Sequence, residues 1–255
     1  MLPILHIGPL TIPTSGIIYI LGLWVGLSFA EKHSKRRGIE ASALYNLVLV
    51  TLLVGIIAAR LVYVARYPSS FLADPLSIVL PNPNMLDLPG GLAGGLLAAL
   101  VYANRKKLGF YQTLDALTPA LAIMAVCASL ANLASGNAYG SPTDLPWSIE
   151  LWGAKRHPAQ LYEMLGACLT LFILWPTRPW LDMLRPGGLF WAFLALSSFN
   201  RLLLEAFRGD SIIFLDHYRG MQILALAILM VSLWFLGKNL PDSRKSELSG
   251  NGPAI

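Results

Sequence analysis

Charge is what this 255-residue chain has least of: Asp, Glu, Lys and Arg make up 13% of it, against roughly a quarter of an average soluble domain. So few charges cannot coat a globule of this size. A soluble helical protein would also need polar faces that the apolar runs lack. Cysteine is nearly absent. Cys127 and Cys168 both fall inside apolar runs, which excludes a disulfide framework and a thiolate metal site and makes them small packing residues. Acidic residues are outnumbered, 14 against 19 basic ones, for a net charge of +5. The basic residues stand in short clusters between apolar runs, the pattern of membrane topology rather than of a nucleic-acid surface. No nucleic-acid partner is therefore expected. Ahead of the first apolar run, residues 1–13 carry no basic stretch, so no cleaved signal peptide is expected. Tandem repeats are absent too.

What the chain has is apolar residue: 55% of the total, with a mean hydropathy of +0.59. Runs near the length that crosses a bilayer, about 20 residues, recur along it. They predict helices at 14–30, 44–66, 90–104, 115–136, 160–176, 187–206 and 218–236. The third is short and carries Gly90, Gly91, Gly94 and Gly95, which permit close approach of a neighbour. The expected fold class is all-α, a polytopic membrane protein of about seven transmembrane helices. Residues 1–238 form one domain; residues 239–255, polar and holding Pro, Ser and Gly, read as a disordered cytoplasmic tail.

Orientation follows from the basic residues. Lys32, Lys35, Arg36, Arg37, Arg105, Lys106, Lys107, Arg178, Arg185, Lys238, Arg244 and Lys245 follow alternate helices on one side. The positive-inside rule makes that side cytoplasmic, with the N-terminus outside and the C-terminus inside. Arg60, Arg66, Lys155, Arg156, Arg201, Arg208 and Arg219 are left on or near the outer side, where the rule disfavours them. An arginine at membrane depth is costly and keeps a partner or a ligand. Its guanidinium can grip a phosphate through two parallel hydrogen bonds. The cluster therefore suggests a phospholipid head group, although Arg60 and Arg66 could equally snorkel.

Three stretches could carry chemistry. In Arg156-His157-Pro158-Ala159-Gln160-Leu161-Tyr162-Glu163, a proline suits the first turn of a helix, and Gln160 and Glu163 share a face. A carboxylate there could orient Arg156 or move a proton; a structural ion pair closing the helix entry is the alternative. Arg201 and Glu205 lie one turn apart on one face, followed by Arg208 and Asp210. Such a pair is either a packing device or, inside a membrane segment, a functional site. Asn132 to Gly140 supplies small and amide residues that leave room and donors for a head group, a weak motif by itself.

Taken together, these stretches resemble the prolipoprotein diacylglyceryl transferases along nearly the whole chain, from His6-Ile7-Gly8-Pro9-Leu10 onward. Arg156 to Glu163 is similar to that family's RHPSQLYE. Arg201, Glu205 and Arg208 stand at the spacing of its RxxxExFR, with the following acid, Asp210, one residue nearer. Gly220-Met221-Gln222-Ile223-Leu224, Phe71-Leu72-Ala73-Asp74-Pro75 and Gly90-Gly91-Leu92-Ala93-Gly94 also match in order. The resemblance implies an enzyme of lipoprotein biosynthesis at the outer face of the bacterial inner membrane. It would move the diacylglyceryl group of phosphatidylglycerol to the lipobox cysteine in a prolipoprotein signal peptide, with glycerol phosphate leaving. It implies no cofactor and no metal. Arg201, Glu205 and Glu163 would be the catalytic set; Asn132, Gly140, Arg156, His157, Tyr19 and Arg60 would contact substrate.

The departures are equally specific. Where the family's HGGLIG begins with histidine stands Pro89, which can neither shuttle a proton nor donate a hydrogen bond. Ser129 replaces the arginine that opens the signature segment, Asn137 its acid, and Thr14-Ser15-Gly16 an early aromatic stretch, although Tyr19 remains. His157 or His217 could stand in for the base, and Arg60 or Arg156 for the lost arginine. Three readings stay open: a transferase with a rebuilt site, a catalytically impaired relative that binds phospholipid or a partner protein, and a small transporter. Charge confined to one side of the membrane disfavours the last.

Overall fold

A computed structural model describes residues 4–7, 10–78, 85–175, 177–178, 180–181, 184–214 and 218–239. The tail assigned to 239–255 therefore lies outside the described residues except for Asn239, and so does His217. Helices stand on all seven apolar segments: α1 (Thr14–Ser34), α2 (Ala41–Arg66), α4 (Leu88–Arg105), α5 (Phe110–Ser135), α6 (Ala159–Ile173), α7 (Gly188–Leu204) and α8 (Gly220–Asn239). A short helix, α3 (Pro68–Ala73), was not expected. Neither were three two-stranded antiparallel hairpins: β1–β2 (Ile4–Ile7, Leu10–Pro13), β3–β4 (Ile149–Leu151, Ala154–Arg156) and β5–β6 (Ile213–Phe214, Tyr218–Arg219).

Among the described residues, five helical stretches are long and apolar enough to cross a membrane: Thr14–Arg37, Ala41–Arg66, Phe110–Ser135, Gly188–Phe207 and Gly220–Lys238. At 15 residues α6 is shorter than a bilayer requires. Leu52, Leu53, Ile56 and Ile57 on α2, Leu165, Leu169 and Phe172 on α6, and Ile223, Met230 and Trp234 on α8 are all exposed. A water-soluble protein does not present apolar faces of this extent; this is a multi-pass membrane protein.

The chain forms two compact units, Ser34–Thr113 and Met1–His33 with Leu114–Ile255. In the first, α2 packs along α4 through small residues. A Cβ on Gly91 would stand 3.0 Å from Ala59 Cβ and 3.1 Å from the Gly55 carbonyl; one on Gly95 would stand 3.1 Å from the Thr51 carbonyl; one on Gly94 would collide with Ala58 Cβ. α4 starts where Asp87 accepts from the Gly90 amide at 2.8 Å, a side-chain N-cap. Pro89 stands in that first turn, where an amide donor has no helical partner anyway. Asp87 also holds Arg66 at 2.8 Å, so Arg66 is paired rather than merely snorkelling.

In the second unit α7 packs on α6 and α8. Its core joins Ala122 of α5 to Leu174, Leu181, Leu184, Leu189, Ala192 and Phe193. Cys127 and Cys168 are free thiols, and Cys127 Sγ fills the space over Gly22 on α1. α7 begins after Gly187, at φ +92, and its N-cap comes from another helix. Asp115 of α5, 1% exposed, accepts from the Gly187 amide at 2.8 Å and the Phe190 amide at 3.0 Å. The carboxylate meets both the unpaired amides and the positive end of the helix dipole.

Two outcomes follow for melting in detergent. Asp115→Ala strands two buried amides and should destabilise the protein by roughly 2–4 kcal/mol, whereas Asp115→Asn, which keeps one acceptor, should recover about half of that. Gly94→Leu should cost at least about 1–3 kcal/mol through overpacking, while Gly16→Ala, with nothing within 4 Å of the added carbon, should leave the melting temperature unchanged.

Candidate active site

Several of the candidate residues gather where α6 begins and α7 ends. Glu163, one turn into α6, faces α7. Its Oε1 accepts from Nη1 of Arg201 at 2.8 Å and from Nη1 of Arg208 at 2.8 Å. Arg201, in the last turn of α7, places Nη2 2.9 Å from Glu205 Oε2. Glu205 is fully buried, and that contact is an ion pair without a well-aligned hydrogen bond. Arg208 adds a two-pronged bond to Asp210, Nε to Oδ1 at 2.9 Å and Nη2 to Oδ2 at 2.6 Å. Burial pulls the Arg208 pKa down, but the hydrogen bonds and charges of Asp210 and Glu163 more than offset this and leave it above the ordinary arginine value. It stays charged at every pH at which the protein works.

Around these pairs the chain crosses itself closely. Ser141 donates its amide to the Phe207 carbonyl at 2.8 Å, and Gly209 to that of Tyr139 at 2.9 Å. Gly140 lies in that crossing, and a Cβ on it would collide with the His157 carbonyl. Arg219 donates through Nη1 to the carbonyls of Glu205 and Arg208 and to Ser211 Oγ. Arg156 donates to the carbonyls of Leu151 at 3.0 Å and Gly140 at 3.3 Å, and stands over the Tyr139 ring. Among the described residues, then, Arg201 and Arg208 pair with three carboxylates, Glu163, Glu205 and Asp210, while Arg156 and Arg219 hold backbone carbonyls around them.

Beside the ion pairs lies a cavity of about 150 Å³, lined by Ser129, Glu163, Thr170, Ser197, Asn200 and Arg201 with Ala122, Ala125, Ala167 and Phe193. Ser129 turns its hydroxyl onto the Ala125 carbonyl at 3.2 Å. Gly166 of α6 lets Asn200 lie directly against the backbone, where a Cβ would meet its side-chain amide. Arg201 Nε is buried here with no partner. A buried donor left unmatched is rare and wants an acceptor.

Several expectations change in detail. Glu163 partners Arg201 and Arg208, not Arg156, and Arg156 and Gln160 hold backbone carbonyls. Gln160 Nε2 donates to Asn137 O at 2.8 Å. The His157 ring packs against Phe207, centroids 5.2 Å apart, and Tyr162, with Nδ1 buried and unpartnered. Among the described residues neither Tyr19, 39% exposed on α1, nor Asn132 on α5 bonds to the arginines. Arg60, in the other unit, donates to the carbonyls of Ile78, Met85 and Ser77. Contact with a substrate would require it to release that loop. Arg208, Asp210, Arg219 and Asn200 were absent from the expected set. Arg208 and Asp210 had a signal, their place in and just after the RxxxExFR spacing, and Arg219 one in the excess of outer arginines; Asn200 is joined only by folding.

Fold and site define a class: a multi-pass membrane protein with a cluster of largely buried arginine–carboxylate pairs beside a small pocket at the end of its helices. Comparison with known proteins narrows this. The family model for prolipoprotein diacylglyceryl transferase matches residues 3–237, and the chain belongs to that family. It is 29% identical over 266 residues to the phosphatidylglycerol–prolipoprotein diacylglyceryl transferase of Synechococcus elongatus, covering 97% of this chain and 92% of that one. The Bacillus cytotoxicus protein of the same name is 27% identical, over 91% of this chain and 89% of the relative. That of Bordetella bronchiseptica is 31% identical over 67% of this chain and 69% of its own.

Glu163→Ala would leave two guanidiniums facing each other. Its loss should cost about 3–5 kcal/mol, as for other broken buried pairs, read as a lowered melting temperature in detergent. Asp210→Ala, whose carboxylate is 28% exposed, should cost about 1 kcal/mol or less.

Proposed function

We propose that this protein transfers the diacylglyceryl group of phosphatidylglycerol to the lipobox cysteine of prolipoproteins, as its named relatives are titled to do. The observation that carries the reading is Arg201: it lines the cavity, its Nη atoms are held by Glu163 and Glu205, and its Nε is buried without a partner among the described residues. A phosphate oxygen is an acceptor that this donor lacks, and a bond from a charged guanidinium to it is of the strong, charge-assisted kind. In the reaction the cysteine sulfur attacks the diacylglyceryl methylene, a thioether forms, the carbon–oxygen bond to phosphate breaks, and glycerol phosphate departs. Charge grows on the phosphate as that bond breaks, and a fixed guanidinium beside it lowers the barrier.

Glu163 and Glu205 position Arg201 rather than touch the reacting carbon. Pro89 offers no proton acceptor. The thiol proton goes instead to His157, an imidazole able to accept it and not engaged in the ion pairs. In this reading residues 1–238 act as one domain of seven spans, the shorter α4 and α6 included. The N-terminus and the arginine cluster face outward across the bacterial inner membrane, and the twelve clustered basic residues face the cytoplasm. Phosphatidylglycerol and the prolipoprotein signal peptide both reach the site from the bilayer.

Purified protein with labelled phosphatidylglycerol and a lipobox peptide tests this directly. Arg201→Ala should lower transfer by about 10²–10³-fold, as for loss of one donor to a developing anion. Arg201→Lys should not recover it, since a point charge cannot keep both carboxylates and still present a third donor. Undiminished transfer by Arg201→Ala would remove Arg201 from the mechanism, and no transfer by the unaltered protein would leave the phospholipid-binding alternative in its place.

A further inference from the structure

Strands β3 and β4 are joined by two residues only, Trp152 and Gly153, with Leu151 paired to Ala154. Both turn residues have positive φ, +54 and +70. That is the tight hairpin turn whose usual sequences are Asn-Gly and Asp-Gly. Gly153 adopts it freely. A bulky aromatic at positive φ is an outlier, and burial does not explain Trp152, which is 66% exposed. Its indole nitrogen donates to the Gly136 carbonyl at 3.1 Å, and Gly136, at φ +76, is the residue on which α5 ends. The ring is thus fixed at the end of a 26-residue apolar span, N–H turned inward and much of its apolar surface outward. Trp147 repeats the arrangement: 58% exposed, with its nitrogen donating to the Tyr162 hydroxyl at 2.7 Å in the first turns of α6.

We propose that Trp152, seconded by Trp147, is seated in the boundary between lipid head groups and acyl chains, and that hairpin β3–β4 is an interfacial anchor fixing the depth of the arginine cluster. Indole rings, apolar with one polar edge, favour that boundary. The bilayer is the occupant because Trp147 is tied to Tyr162, which shares a face of α6, at helical spacing, with the exposed Leu165, Leu169 and Phe172. Depth is passed on through backbone. From Gly136 the chain runs through Asn137, held by Gln160, to Tyr139, held by the Gly209 amide, and to Gly140, held by Arg156. Gly140 and Arg208 form an isolated bridge, so the anchor and the ion pairs share one hydrogen-bonded strap. The seating requires only that the chain span a bilayer; its effect on transfer rests on the function proposed above.

The test uses full-length protein in phosphatidylglycerol–phosphatidylcholine vesicles carrying lipid brominated either near the ester end or near the methyl end of the acyl chain. The difference in emission between the unaltered protein and Trp152→Phe isolates this one indole. It should be quenched by bromine near the ester end and little by the deeper label. No quenching by either lipid, or loss of quenching when a lipobox peptide is added, would overturn the proposal, the second outcome in favour of a peptide contact. This comparison needs no transferase activity, so it stands apart from the test of function. Trp152→Asn, which suits the turn, supplies the functional arm. Its melting temperature in detergent should equal or exceed that of the unaltered protein. Transfer from vesicle donor should fall about tenfold or more, as for a small displacement of reacting groups, with transfer from a short-chain donor in detergent micelles held within about twofold. Equal loss with both donors would make Trp152 a structural residue and overturn the anchor.

Discussion

A single carboxylate oxygen, Glu163 Oε1, lies 2.8 Å from the Nη1 atoms of both Arg201 and Arg208, and the site is arranged around that sharing. Two guanidiniums at this separation repel strongly in a medium of low dielectric; the oxygen between them makes the approach possible. It ties α6 to the last turn of α7 and to the loop beyond. Glu205 and Asp210 then balance the outer faces of the same two arginines. The result is a fixed array of two guanidiniums and three carboxylates, of which Glu163 and Arg201 reach the wall of a small cavity.

That array bears on the residues in which the chain departs from its family resemblance. Pro89 fits its place as a helix-starting residue beside the Asp87 cap; its ring belongs to the architecture of α4 and not to proton transfer. Ser129 lines the cavity and turns its hydroxyl back on its own helix. Where the resemblance implies a second arginine there is a short side chain and open volume. In the proposed reaction the grip on phosphate falls to Arg201, whose two flanking carboxylates fix the direction of its remaining donor.

Much of this was legible in the sequence, for identifiable reasons. Hydropathy located all seven long helices, because lipid-facing residues are chosen for apolarity whatever they pack against. Helix ends were less legible: α6 stops at Ile173 rather than 176, and α7 is capped by Asp115 from another helix. No local pattern reveals a cap more than seventy residues away. The hairpins are short and lie in polar segments, where alternation has too few residues to register. Arg201 and Glu205 were readable as a pair from their one-turn spacing. Glu163 was singled out, but its partners were not, since spacing along one helix says nothing of what faces it from another. Arg156, His157 and Gln160 were rightly drawn to the same place, where they fasten backbone and rings around the charges rather than meeting them.

One quiet position carries a consequence for how such a pocket can change over time. Gly166 gives up its side chain so that Asn200 can rest on the α6 backbone, and Asn200 forms part of the cavity wall. The dimensions of the hole are thereby set by a missing methyl group on a neighbouring helix. Exchange of glycine for alanine there would push the amide inward and shrink the space while leaving every formal charge as it was. Size and electrostatics of this pocket are separately adjustable, so a lineage could retune which head group fits without disturbing the ions that hold it.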